Sequence, residues 1–308
     1  MIRFLTAGES HGPRLTAILE GMPAGIPVEP DYINHQLARR QEGYGSGGRM
    51  NIERDEAQIT SGIAAGLTTG APIAMTVENR DYKNWREKDI TPMTTPRPGH
   101  ADLTGAIKYG YSDLRIALER ASARETTMRV AVGAICMRFL QEFGIKIGGY
   151  VTQIGAEVAT LGADLSLEAR IEQAEESDVR CPDTESTERM HAAIRQAKID
   201  KDTLGGVMEI VAIGVPPGLG SHVHYDRRLD ARIVGAMVSV HAMKGAEIGA
   251  AFENAGKPGS QVHDVIALGA DGQITRTTNR AGGLEGGITT GEPIIARVAM
   301  KPISTLMR

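Results

Sequence analysis

Two stretches of this chain repeat one another. Residues 60–76 read TSGIAAGLTTGAPIAMT and residues 281–297 read AGGLEGGITTGEPIIAR. Both fit G-[IL]-x-x-G-x-T-T-G-x-P-I, with Thr68-Thr69-Gly70 matching Thr289-Thr290-Gly291. A second echo precedes each, AILEGMPAGIP at 17–27 and VAIGVPPGLGS at 211–221. Matches kept in the same order imply two related units, about 1–80 and 207–300, of strand–turn–helix–strand type.

Each unit opens on a β-rich run, Leu15 to Leu19 and Val207 to Ile213, followed by a Pro/Gly turn. In DYINHQLARRQ, Ile33 and Leu37 share one face of an amphipathic helix. RLDARIVGAMVSVHAMKG is the corresponding helical stretch, with Ile233, Met237 and Val240 at helical spacing. A largely apolar helix starts near Ala123 and stops at Gly144, a C′ residue. SLEARIEQAEES and DTESTERMHAAIRQAKID read as exposed helices with solvated acidic faces. The expected fold is α+β, with central helices covered by sheets.

The chain has 37 glycines in 308 residues, above the usual share of about 7%. Such a chain has many backbone positions at positive φ, or places where something packs on the main chain. Net charge of −4 and 4% aromatic residues argue against nucleic-acid binding. Cys136 and Cys181 are too few for a disulfide framework. No stretch approaches eighteen apolar residues, and MIRFLTAGESHG lacks a signal peptide's apolar region. These features predict a cytoplasmic protein with no membrane association.

The chemistry concentrates in arginine and histidine motifs. In ERASARETTMR, at 119–129, Ser122 and Glu125 form an S-x-x-E capping box at a helix start. Arg120, Arg124 and Arg129 cluster at this end, where the helix dipole disfavours cations. Glu119 and Glu125 offset only part of that charge, so the arrangement predicts an anion site in which ligands supply the missing negative partner. LARRQEGYGSGGRM adds Arg39, Arg40 and Arg49 around a glycine loop, RPGHAD adds Arg97 and His100, and GESHG sets His11 between glycines. AMKPIST places Lys301 and two hydroxyls just after the second TTG. Two loop histidines beside acids suit proton transfer near neutrality. No HExxH or paired CxxC predicts a metal site, and dinucleotide, P-loop and hydrolase-elbow fingerprints are absent from the sequence. The residues therefore describe an enzyme for multiply anionic ligands that uses histidines for acid–base work.

GESHG, RRQEGYGSGGRM, RPGHAD, ERASARET, GVPPGLG, MKGAEIG, NRAGGLEGG and MKPIST, taken in order from end to end, resemble the chorismate synthase family. The resemblance implies a central helical layer between antiparallel sheets, built from a pseudo-duplicated β–α unit, and a homotetramer. It implies a lyase that converts 5-enolpyruvylshikimate 3-phosphate to chorismate and phosphate by anti-1,4-elimination. Reduced FMN is required, and NADPH serves as reductant in the bifunctional type of the family. The ligand phosphates and carboxylates would then supply the missing negative charge.

Carried over by position, Arg120, Ala121, Ser122, His241, Ala242, Gly286, Lys301, Pro302, Ile303, Ser304 and Thr305 look like FMN contacts. His11 resembles the histidine that protonates the departing phosphate, and His100 the one beside flavin N1 and its C2 carbonyl. Arg40, Arg49 and Arg124 look like substrate clamps. Ser46 stands where the family usually has an arginine tied to substrate or NADPH-side contacts. The chain ends at Arg308, whereas relatives continue into an Arg-Ser-Asp or Arg-His-Asp motif. Its arginine contacts flavin and its aspartate partners flavin N5, so the resemblance predicts weak or no turnover for this chain. An FMN- or anion-binding fragment or regulatory subunit is the alternative reading.

Overall fold

The computed structural model describes residues 2–45, 52–162, 164–270 and 272–304. The chain forms two compact units, 1–142 and 143–308.

The first unit contains β1 (Arg3–Ala7), β2 (Arg14–Glu20), α1 (Pro30–Gln41), β3 (Ala57–Ser61), the short hairpin strands β4 (Ile63–Ala64) and β5 (Leu67–Thr68), and β6 (Ile73–Glu78). Three helices follow: α2 (Asp102–Tyr109), α3 (Arg115–Arg120) and α4 (Thr126–Gln141). The strands form an antiparallel sheet in the order β1-β2-β6-β3. Alternation buries Leu15, Ala17 and Leu19 of β2 with Ile73, Met75 and Val77 of β6. These residues meet Ile33 and Leu37 of α1 and Met128, Ala131, Val132 and Ile135 of α4 in one core. Pro30 opens α1, Asp31 lies in its first turn and Arg39 and Arg40 in its last, so its ends suit the helix dipole. Arg39 and Arg40 thus lie in the last turn of α1, just before the glycine-rich segment.

The second unit contains β7 (Lys146–Ile154), β8 (Glu157–Val158), α5 (Leu167–Glu176), α6 (Thr184–Ile199), β9 (Gly206–Ile213), α7 (Leu229–Val238) and β10 (Met243–Ile248). It continues with α8 (Ala251–Asn254), the paired strands β11 (Ile266–Leu268) and β12 (Ile274–Arg276), the hairpin strands β13 (Leu284–Glu285) and β14 (Ile288–Thr289), and β15 (Ile294–Met300). Its antiparallel sheet has the order β8-β7-β9-β15-β10. The two exposed helices predicted between 160 and 205 are α5 and α6, capped by Ser166 on Ala169 N–H and Asp183 on Ser186 N–H. The helix expected over 228–245 is shorter. It stops at Val238, Ala242 turns at φ 68°, and Met243 begins β10.

Within their own units, the echoed segments make the same bonds. The Thr68 hydroxyl donates to Pro23 O at 2.5 Å and accepts from Ile26 N–H, while the Thr68 main chain bonds Gly25 and Ile26. The Thr289 hydroxyl donates to Pro216 O at 2.7 Å and accepts from Leu219 N–H, while its main chain bonds Gly218 and Leu219. Thr69 N–H reaches Gly62 O and Thr290 N–H reaches Gly283 O. Gly62 and Gly283 both have positive φ. A Cβ on Gly62 would come within 2.7 Å of Ile73 Cα, and one on Gly283 within 2.9 Å of Ile294 Cα. Each hairpin therefore sits directly on the start of the strand that follows it.

Candidate active site

His11 follows β1 in a loop that the end of α3 holds from below. Glu119 Oε2 accepts from the His11 main-chain N–H at 2.7 Å, and Glu119 Oε1 lies 2.7 Å from His11 Nδ1. Ser10 N–H donates to Glu119 O, and the Ser122 hydroxyl donates to Ser10 Oγ. Arg120 donates to Thr6 O, Thr6 Oγ1 and Gly8 O. Residues 119–122 thus clasp the end of β1 and the loop that follows it, residues 6–11. The Trp85 ring packs against the His11 ring at an inclination of 37°, with centroids 4.1 Å apart.

His100 is held by the same device. Its Nδ1 lies 2.5 Å from Asp102 Oδ1, and the other Asp102 oxygen accepts from Arg97 Nε and Arg97 N–H. Burial pushes the Asp102 carboxyl up, but the Arg97 hydrogen bonds and the charges of His100 and Arg97 outweigh it and hold the group below its usual value. In both histidines a carboxylate lies on Nδ1.

The arginine cluster divides. Arg124 is buried, its side chain 3% exposed. Its guanidinium donates to Asp55 Oδ2 through one terminal nitrogen at 2.7 Å, has the other terminal nitrogen 2.7 Å from Asp55 Oδ1, donates to Asn79 Oδ1 through Nε at 2.8 Å, and lies 3.5 Å from Glu53. Arg129 pairs with Glu125 at 3.0 Å. Carboxylates of the same unit thus already lie against both cations, Asp55 and Glu53 at Arg124 and Glu125 at Arg129. Arg40 bonds Thr126 Oγ1 and Ala123 O and lies 3.5 Å from Asp55. Arg120 differs, since the oxygens it bonds belong to Thr6 and Gly8 and carry no charge.

The expected capping box is also modified. Ser122 Oγ accepts from Arg124 N–H and starts a short 3-10 turn, Ala123–Glu125, ahead of α4. Glu125 turns its carboxylate to the Thr6 hydroxyl and Arg129. Gly144 has φ 72° and follows the helix end by a few residues.

In the second unit, Lys301 N–H donates to Ala242 O at 3.0 Å, joining the His241-Ala242 turn to the end of β15. Lys301 Nζ reaches Ser304 Oγ and Pro302 O. Gly286 lies elsewhere, in the β13–β14 turn, where Leu229 N–H donates to the neighbouring Gly287 O. α7 runs from that turn toward Ala242, and ten residues make a helix about 15 Å long. Ser46, Arg49 and Thr305 lie outside the described residues. Among the described residues no group of His, Cys, Asp and Glu is arranged to hold a metal ion, and no helix is long and apolar enough to cross a membrane.

The partners that fix this site were not legible as such. Glu119 lies 108 residues from His11, whose nearest acid in sequence is Glu9. Asn79 follows β6 without a motif, yet its amide donates to Glu9 O and Gly12 O and ties the loop to Arg124. Glu53 and Asp55 meet Arg124 from 69 or more residues away.

The model of the chorismate synthase family matches residues 2–308. The chain belongs to the chorismate synthase family. The chorismate synthase of Desulforamulus reducens is 55% identical over 317 residues, covering 100% of this chain and 82% of that relative. That of Geobacillus kaustophilus is 53% identical over 318 residues, with the same coverage, and that of Aquifex aeolicus is 54% identical over 321 residues, covering 99% and 81%. A crystal structure of chorismate synthase matches with a TM-score of 0.86 at 49% identity, covering 98% of this chain and 85% of that one. As a member of the chorismate synthase family the chain is a lyase of the shikimate pathway, and the family uses reduced flavin.

Proposed function

We propose that His11 and Arg120 carry the phosphate end of the family's elimination in this chain, in which 5-enolpyruvylshikimate 3-phosphate gives chorismate and phosphate. The observation that carries this reading is their attachment to one loop. Glu119 holds His11 and Arg120 holds Thr6 and Gly8, so a proton-bearing imidazole and a cation bonded to neutral oxygens share one docked segment. Arg120 attracts the phosphoryl group, and His11 Nε2–H donates its proton as the C–O bond breaks. His100, held on Asp102, would be the residue that favours the anionic form of a bound reduced flavin.

The residue types suit FMN. Within the first unit Arg120 and Ser122 are a cation and a hydroxyl suited to a phosphate or a polar ring edge. Within the second unit Lys301 and Ser304 are a pair of the same kind. Reduced FMN, when bound, supplies an electron to the substrate transiently, without net redox change. Arg40 is a second substrate cation, partly compensated by Asp55.

A homotetramer accords with the apolar residues on the outer face of the first sheet. Leu5 and Ile18 are cross-strand neighbours there, 63% and 43% exposed. Light scattering should then give about four times 32.9 kDa.

Phosphate release from the substrate, with photoreduced FMN under anaerobic conditions, tests the reading. His11→Ala should lower the rate about 10²-fold or more. Arg120→Ala should raise the substrate or flavin concentration needed for half-maximal rate. Retention of wild-type rates in both variants would exclude these roles.

A further inference from the structure

His11 is enclosed on two sides. Glu119 Oε1 meets Nδ1 and Glu119 Oε2 meets the His11 main-chain N–H, each at 2.7 Å, so neither oxygen can leave without losing a bond to the same residue. The Glu119 side chain is 12% exposed. Its backbone is fixed as well, since Glu119 O accepts from Ser10 N–H at 3.2 Å. On another side Trp85 lies with its ring centroid 4.1 Å from that of His11, the planes inclined by 37°. Trp85 is itself anchored, because its indole N–H donates to Asp81 Oδ2 at 3.0 Å.

We propose that Glu119 is a positioning residue that holds His11 as the Nδ1–H tautomer, with Trp85 fixing the plane of the ring. An ionised carboxylate only accepts hydrogen bonds, so Nδ1 must carry the hydrogen that points at Oε1. In the proton transfer proposed above, the Nε2–H bond of the imidazolium breaks and an O–H bond forms on the departing phosphate. The ring that remains is neutral and keeps its hydrogen on Nδ1, which is the form Glu119 already holds. No tautomer exchange or ring flip is then needed between turnovers. The proposal rests on the reading of His11 as proton donor, but the tautomer can be observed without turnover.

Nitrogen-15 NMR of the full chain labelled at histidine tests it, with His11 assigned through His11→Gln. Wild-type protein should show neutral His11 as the Nδ1–H form. Glu119→Ala should shift the population toward Nε2–H and lower kcat about tenfold to a hundredfold, with KM for the substrate little changed. Glu119→Gln fills the same space with one acceptor oxygen in place of two and should give a mixed population, which keeps the test valid if the alanine variant does not fold. Glu119→Asp should restore part of kcat. Trp85 is the single tryptophan in the chain, so its fluorescence should change in the Glu119 variants as the ring it packs against loosens. A tautomer population unchanged in Glu119→Gln or Glu119→Ala would overturn the positioning role even if turnover fell. A shifted population with full turnover would instead remove His11 from the proton transfer.

Discussion

Asp55 meets both terminal nitrogens of Arg124 at 2.7 Å inside the first unit, and Glu53 lies 3.5 Å from the same guanidinium. Both acids are buried. Removing the cation would leave two carboxylates buried without it. Arg124→Met is therefore expected to destabilise the protein by about 3–5 kcal/mol, read by urea unfolding. A substrate clamp with no structural duty would leave the unfolding midpoint in place.

The duplicated threonines give a paired test. Thr68→Val strands Pro23 O and Ile26 N–H, and Thr289→Val strands Pro216 O and Leu219 N–H. Each substitution should cost about 1–3 kcal/mol by thermal or chemical denaturation. Thr69 has an exposed side chain, so Thr69→Val should cost less. A much larger loss at one threonine than at the other would show that the two hairpins are not energetically equivalent.

The folded-state pKa of Asp102 lies below its ordinary value of 3.8. The unfolded chain therefore takes up the proton first as pH falls. The stabilisation from this group is whole above about pH 4 and is lost as pH drops through the lower folded value. Asp102→Asn should flatten the acid limb of a plot of unfolding free energy against pH, measured from pH 2 to 6. An acid limb identical to wild type would rule out this contribution.

Tyr150 on β7, Glu209 on β9, Arg297 on β15 and Glu247 on β10 are direct cross-strand neighbours in one row. The Tyr150 hydroxyl donates to Glu209, which also accepts from Arg297 Nε at 2.7 Å. Burial, followed by the bond to Glu209, pushes the Tyr150 phenol up to about 12. Here the folded state keeps a proton that the unfolded chain loses near pH 10, so the contribution is whole below that pH and lost as pH rises through about 12. Absorbance titration should show a tyrosinate component near pH 12 that disappears in Tyr150→Phe. Its ionisation with the other tyrosines near pH 10 would contradict the burial argument.

Much of the fold could be read from local pattern because its causes are local. Pro30, Ser166 and Asp183 start helices, Ile33 and Leu37 mark a buried face, and TTG repeats announce matching hairpins. The helix expected through Val240 ends at Val238, and the chain turns through left-handed Ala242 into β10, a change that helical spacing alone does not signal. The histidines and Arg120 were likewise visible as residue types in motifs. Which carboxylate each cation would meet was not visible, because charge pairing depends on distance in space and not on separation along the chain. That arginines gather where a helix begins follows from local spacing alone. The long-range packing of the first unit is what brings Asp55 and Glu53 to Arg124, Glu125 to Arg129, and the neutral oxygens of Thr6 and Gly8 to Arg120.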